Sequence, residues 1–390
     1  MKHSGGKGIM AIMWRSLVQI ASKPIYWVGI FLLPLFLFLF MTSIMESGLP
    51  TRVPAGIVDR DGSSISRQMT QSLGSMQMVD LVTTPNSYTE ARHKVQEGEI
   101  YGFFMIPEHF QADLLAGKGP AITFYTNMTY FVPASLLFKT FKATAVYAKA
   151  GIVVQVLSDA GAPANAATLL QPVAVDTHPI GNPWLNYGVY LCNSFVPAIL
   201  QLMILLITCY SLGEEIKYRT SPRLLRMAGG SVYKAVFAKL LPQTLIWWVI
   251  AIFMEVWLFK FNHYPMHGSW WWLTLSQLMF VLACQGFALF FFSLVPNLRL
   301  SLSISALLGV LTFSIAAFSF PMESMYPAMG IFSWIVPTRY NFLIYIDQAL
   351  NGRDIFYSRM WYVAYIIFMV LPVFTVWRLR KEFAKPVFVP

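Results

Sequence analysis

The stretch GIVDRDGSSISRQM, residues 56–69, has the residue types and spacing closest to chemistry in this chain. An apolar strand runs into Asp59-Arg60-Asp61-Gly62, with Ser63 and Ser64 behind it. Two aspartates at such a turn could present a nucleophilic carboxylate to a phosphoryl group, or supply the first oxygens of a calcium loop. Both chemistries need more residues. A phosphatase of that kind needs further acids downstream to hold magnesium and a lysine at the same strand end, yet no Asp-Asp or Asp-x-x-x-Asp pair follows before residue 185. A calcium loop needs oxygens at alternate positions and a bidentate glutamate, which Ser63, Ile65 and Met69 do not supply. The residues suit a strand-to-helix turn. Asp bonds nearby amides, Gly accepts an unusual φ, and Ser63 or Ser64 caps the next helix.

Two other chemistries fail on spacing. GGKGIM at residues 5–10 lacks the Gly-x4-Gly-Lys-Ser/Thr pattern and preceding strand of a phosphate loop. Cys192, Cys209 and Cys284 match no metal-ligand spacing and read as small core residues.

The elements around these residues define the class. The chain has 390 residues, 56% hydrophobic and only 12% charged. A bilayer core about 30 Å thick needs about 20 apolar residues per helix. Runs of that kind occur at Ile25–Met45, Tyr187–Leu212, Val236–Phe259, Trp270–Val295, Leu300–Phe320 and Trp361–Trp377. The fold class is therefore a polytopic α-helical membrane protein with six transmembrane helices. The first run is too long for a signal-peptide core and no small-x-small site follows it, so it reads as a retained anchor. Lys2, Lys7, Arg15 and Lys23, the loop carrying Lys217 to Lys239, and the tail with Arg378, Arg380, Lys381 and Lys385 fall on one side. The positive-inside rule makes that side the cytoplasm, with both termini in it. The net charge of +10 then reflects topology and lipid headgroups; no nucleic-acid motif accompanies it.

Residues 46–185 are long enough for a folded extracytoplasmic domain, with nine basic and eleven acidic residues. Strands are expected at Val53–Val58, Met76–Val82, Ile100–Ile106 and Ala121–Tyr125. Ile65, Met69 and Leu73 share a helix face, and SYTEARHKVQEG carries a capping box at Ser87 and Glu90 and a stop at Gly98. A short helix, EHFQADLLAG, and a long one over 133–159 complete an inserted α/β domain.

In order and spacing, VPAGIVDRDGSSISRQM, ARHKVQEGEIYGFFMIPEHFQADLLAG, NPWLNYGVY, GEEIKYRTSPRLLRMAGGSVYKAVFAKLLP and SFPMESMYPAMGIFSWIVPTRYNFLIYIDQALNG resemble the membrane subunit of a type-2 ABC exporter. The subfamily is the one with a large extracytoplasmic domain between its first two spans. The resemblance implies a segment plan: an amphipathic elbow helix at 1–24, a first span at 25–45, the inserted domain at 46–185, spans two to five over 186–320 with a cytoplasmic coupling loop at 213–235, an extracytoplasmic re-entrant segment at 321–359, a sixth span at 360–377 and a cytoplasmic tail at 378–390. In the elbow, Ile9, Ile12, Met13, Leu17 and Ile20 lie on one side and Arg15, Gln19 and Lys23 elsewhere.

The family's coupling loop carries an acidic pair, then Gly-Thr, then another Glu before a leucine pair. Glu214, Glu215, Thr220, Leu224 and Leu225 sit at those positions, while Arg219 replaces the Gly and Pro222 the later Glu. The resemblance implies docking of this loop on a separate ATPase subunit, with Leu224, Leu225 and Met227 available to dock. Pro321, Pro327 and Pro337 interrupt the re-entrant segment, and with Arg339 and Tyr340 they are the expected extracytoplasmic gate. Asn193, Gln201 and Gln285 are the pathway candidates at membrane depth, beside Gln277. Glu255, a turn from Lys260, reads as interfacial. No series of acids or histidines forms a proton relay.

The expected function is export of a drug-like, lipid-like or other amphipathic molecule across a bacterial inner membrane. Energy comes from ATP and magnesium held by the partner ATPase, with no cofactor in this chain. The expected partners are that ATPase, a second permease subunit (the same chain or a paralogue), the lipid bilayer and, in some family members, a periplasmic adaptor and outer-membrane duct. The alternative is a non-transporting sensor acting through its extracytoplasmic domain. A membrane enzyme ranks last, because no paired carboxylates or Ser/His set is present.

Overall fold

The structure, a computed structural model, describes residues 8–46, 48, 51–116, 118, 120–130, 132–142, 182, 186–318, 320 and 322–387. Among these, six helices are long and apolar enough to cross a membrane: span 1 Pro24–Ile44, span 2 Tyr187–Lys217, span 3 Val232–Phe261, span 4 Trp270–Leu294, span 5 Leu298–Ile315 and span 6 Ile355–Ala384. The chain divides into two compact units, Met1–Gly48 with Pro179–Pro390, and Leu49–His178.

Several boundaries differ from the sequence expectation, each for a local reason. Span 5 stops at Ile315, not Phe320, because Ala317 adopts a left-handed φ of 60°. Span 6 starts at Ile355 and runs on through 3-10 turns at Leu371–Phe374 and Val376–Arg378, where Pro372 interrupts regular α-helix. Span 1 accommodates Pro34 by widening into π-helical turns over Trp27–Leu32. Span 2 continues to Lys217, so the expected loop at 213–235 begins with the last helical turn of that span.

Small residues set the closest approaches between spans. Span 2 packs on spans 4 and 5, and span 4 on span 6. A Cβ on Gly286 of span 4 would lie 2.4 Å from the Phe368 carbonyl oxygen of span 6, so only glycine permits this contact. Span 5 turns Ser301, Ser305, Gly309 and Thr312 inward and exposes Leu300, Leu307 and Val310. Such an exterior suits lipid tails.

The second unit contains a four-stranded sheet: β1 Val53–Asp59, β2 Val79–Thr83, β3 Gly102–Ile106 and β4 Thr123–Thr126, in the order β2-β1-β3-β4. β1 pairs in parallel with β2 and β3, while β4 is antiparallel to β3. One face is covered by Met69 and Leu73 of helix Ser64–Gly74 and by Leu137 and Phe141 of the helical residues 132–142. The other face holds Ala91 of helix Tyr88–Glu97 against Val58, Ile100 and Phe103. The rest of the long helix expected over 133–159 lies outside the described residues.

The turn after β1 has the form the sequence implied. Asp59 Oδ1 accepts from the amides of Asp61 and Gly62, both at 3.0 Å, with Gly62 at a φ of 59°. Ser63 caps the helix by accepting from the Ser66 amide at 3.1 Å, and Asp61 accepts from the Gln111 amide at 3.2 Å. Both carboxylates shape backbone. In the capping box, Ser87 Oγ accepts from the Glu90 amide, while Glu90 reaches back one residue further, to the Asn86 amide.

Candidate functional site

Two polar groupings stand out inside the membrane unit, one at each end of the bundle. The first lies at the basic end, where spans 2 and 3 meet the N-terminal helix Ile9–Ser22. Span 2 carries Glu214 and Glu215 in its final turns, both fully buried. Arg15 donates to both oxygens of Glu215 at 2.9 and 2.7 Å, and Lys239 of span 3 donates to the same carboxylate at 2.7 Å. Gln19 adds a contact at 3.3 Å, and Thr220 Oγ1 donates to Glu215 Oε2. Glu214 accepts from Lys23 at 2.6 Å and from the Tyr26 hydroxyl at 2.7 Å. Lys239 also stands 3.8 Å from Glu214 and donates to Gln19 Oε1 at 3.0 Å. Each buried carboxylate thus has charged donors on at least two neighbouring segments, which offsets its desolvation.

This grouping revises two expectations. The N-terminal helix buries the stripe Ile12, Ser16 and Ile20 and turns Arg15 and Gln19 toward Glu215, while Met10, Trp14 and Val18 are exposed. Of the expected apolar side, Ile12, Met13 and Ile20 pack on the protein and Ile9 and Leu17 are exposed, while Arg15 and Gln19 also make protein contacts. Glu214 and Glu215 hold the bundle end together from within it and present nothing at the surface.

The segment between spans 2 and 3 contains one short helix, Ser221–Met227. Arg219 before it adopts a left-handed φ of 54°. Leu224 is fully buried and anchors the helix, while Leu225 and Met227 pack against the same core and stay partly exposed. The helix lies against the C-terminal helix Leu379–Ala384, and the Met227 carbonyl accepts from the Gly8 amide at 3.0 Å. Its exposed side carries Arg219, Arg223 and Arg226, beside Tyr218, whose ring lies 5.1 Å from Lys23 Nζ. Gly229 and Gly230, at φ 67° and 81°, form the turn into span 3.

The pathway candidates are tied within the subunit. Gln201 of span 2 donates to Thr312 of span 5 at 2.8 Å and accepts from the amide and hydroxyl of Thr338 at 2.9 and 2.7 Å. Asn193 donates to the Tyr345 hydroxyl at 2.6 Å, and Gln285 accepts from Thr244 at 2.6 Å. All three are buried.

Two short helices, Pro327–Ser333 and Pro337–Ile344, form the segment before span 6, each with proline in its first turn where its missing N–H costs nothing. Pro327 is exposed; Pro337, Arg339 and Tyr340 are buried, with the Arg339 guanidinium 5.2 Å from the Trp334 ring centre and the Tyr340 hydroxyl donating to the Trp334 carbonyl at 2.8 Å. Burial pushes the Tyr340 phenol up. Pro321 lies outside the described residues. Asp347 fastens this segment to span 6, accepting from Arg353, Ser358 and Trp361, each at 3.2 Å.

The second grouping surrounds Glu255 of span 3. Glu255 lies six residues before the end of span 3 at Phe261. It is buried, and its Oε1 accepts from Gln277 of span 4 at 2.7 Å. Lys260, the expected neighbour, is exposed and stands over the Trp270 ring at 5.7 Å. Lys260 lies within the π-helical turn Trp257–Phe261, which alters the angular step along the helix after Glu255.

Sequence reasoning missed Arg15, Lys23, Tyr26 and Lys239 as partners of the acidic pair. The available signal was Lys239 within an otherwise apolar run, 24 residues after Glu215. Among the described residues, no group of three or more His, Cys, Asp and Glu could hold a metal ion.

Residues 24–377 match the family model described as ABC-2 family transporter protein. No curated protein matches the chain.

Proposed function

The chain belongs to the ABC-2 transporter family, as a multi-pass permease of the kind that works with ABC ATPases, and from that premise we propose that it is an exporter subunit driven at its basic end. In this reading the basic end faces the cytoplasm of a bacterial cell, with both termini there. The substrate is drug-like, lipid-like or otherwise amphipathic, and the inserted domain lies outside the inner membrane. ATP and magnesium are held by a separate ATPase, and two permease subunits, identical or paralogous, complete the pathway.

The observation that carries the reading is the block around Glu214 and Glu215. Thr220 and Leu224 fix the short basic helix to the end of span 2, while Arg15, Lys23 and Lys239 fix span 2 to the N-terminal helix and span 3. A push on Arg223 and Arg226 therefore moves these segments together instead of compressing a loop. Further along span 2, Gln201 holds Thr312 of span 5 and Thr338 of the helix before span 6. Tilting of span 2 then displaces the gate segment at the opposite end, which is the transmission that alternating access or lateral extraction requires.

The test is co-purification with the ATPase under mild detergent. Arg223→Glu with Arg226→Glu reverses the charge of the exposed face without touching the buried residues, and loss of the ATPase from a still-monodisperse permease is expected. Undiminished co-purification overturns the docking face. Leu224→Asp is unsuitable for this purpose, since it introduces a charge into the packed core.

A further inference from the structure

Glu255 faces a small space in the half of the bundle away from the basic end. The cavity has a volume of about 30 Å³, enough for one water-sized occupant or a little more. Asn193 and Pro197 of span 2, Glu255 and Phe259 of span 3, Ser276 and Gln277 of span 4, and Asn341 and Tyr345 before span 6 all line it. Glu255 is 9% exposed, and its Oε2 has no hydrogen-bond partner. Ser276 is 1% exposed, and its Oγ, near the Tyr362 and Tyr365 hydroxyls, also makes no hydrogen bond of good geometry. Pro197 has no N–H to offer the Asn193 carbonyl one turn earlier, and both residues line the cavity. No ion pair to Glu255 occurs among the described residues.

The Glu255 carboxylate and the Ser276 hydroxyl, on residues lining a water-sized space, are hard oxygen donors, and the carboxylate carries one negative charge when ionised. That set suits a single positive charge of small radius. Phe259 and Tyr345, stacked with ring centres 6.0 Å apart, add aromatic surface that favours a cation. We propose that this cavity binds one small monovalent cation, either a free inorganic ion or the primary ammonium group of a larger molecule. Its bound charge completes a site joining spans 2, 3 and 4 to the segment before span 6.

The experiment uses the full-length protein in detergent. Unfolding is followed by tryptophan fluorescence at fixed pH and ionic strength, in chloride salts of sodium, potassium, methylammonium and the bulky N-methylglucamine. The expected result is a saturable rise in Tm with a small cation and none with N-methylglucamine. Sodium or potassium acting alone identifies an inorganic ion; methylammonium acting as well or better identifies an ammonium group. Glu255→Gln keeps shape and hydrogen bonding without the charge, and it is expected to fold and lose the saturable rise. Ser276→Ala is expected to raise the half-saturating concentration about tenfold through loss of one ligand. Identical Tm values in all the salts, which is the behaviour of a protonated Glu255, overturn the proposal. So does a saturable rise that survives Glu255→Gln. Should that variant fail to fold, an unchanged half-saturation in Ser276→Ala overturns it instead.

Discussion

Glu215 and Glu255 are both buried glutamates on spans of the same bundle, yet their surroundings are opposite. Glu215 is met by Arg15 and Lys239, with Gln19 and Thr220 filling the remaining directions. Glu255 is met by a single amide, from Gln277, and by a cavity. Burial of a charge is costly unless it is paired and hydrogen-bonded. The basic end is therefore closed in charge and acts as a rigid joint, while the cavity around Glu255 is open in charge and acts as a place for something to bind.

The comparison can be broken most severely at Glu215. Glu215→Ala leaves Lys239 buried without its closest partner and is expected to destabilise by about 3–5 kcal/mol. Thermal unfolding of the purified chain measures this, and a change below about 1 kcal/mol contradicts the joint, since that is the scale of exposed pairs. Thr220→Ala removes one bond to the same carboxylate and links the basic helix less firmly to span 2. Its expected cost is about 1.5–3 kcal/mol, the range for hydrogen bonds to charged groups.

Arg219→Gly should act in the other direction. A non-glycine residue in left-handed backbone costs about 1–2 kcal/mol, so glycine at this φ of 54° is expected to raise Tm. A fall in Tm instead means that the arginine side chain holds the turn. Glu255→Gln completes the contrast and has the smallest effect: without small cations its Tm is expected to equal that of the parent or exceed it. A loss as large as that of Glu215→Ala erases the distinction between the two sites.

The spans were legible because about 20 consecutive apolar residues have few other uses. The inserted domain was legible because Asp59-Arg60-Asp61-Gly62, Ser87 and Gly98 are local signals read within a few residues. The polar interior is set by which helices are neighbours, and that is not local. Arg15 and Glu215 are 200 residues apart, and nothing in either segment names the other. Leu224 followed the right rule, an apolar face on a short helix, but the surface it covers belongs to its own chain. Glu255 and Lys260 are a turn apart in sequence, yet Glu255 bonds Gln277 of span 4 while Lys260, inside the π-helical turn Trp257–Phe261, is exposed over Trp270.

Site-directed cross-linking to the ATPase tests most directly whether energy enters at the basic end. Cys192, Cys209 and Cys284 are all buried, so a thiol introduced by Arg223→Cys or Arg226→Cys supplies an exposed attachment point at the basic end, and Arg359→Cys supplies one near the opposite end. With a short bifunctional reagent on the assembled complex, cross-links to the ATPase are predicted from positions 223 and 226 and none from position 359. Cross-linking from 359, or its absence from both 223 and 226 in an intact complex, contradicts the account.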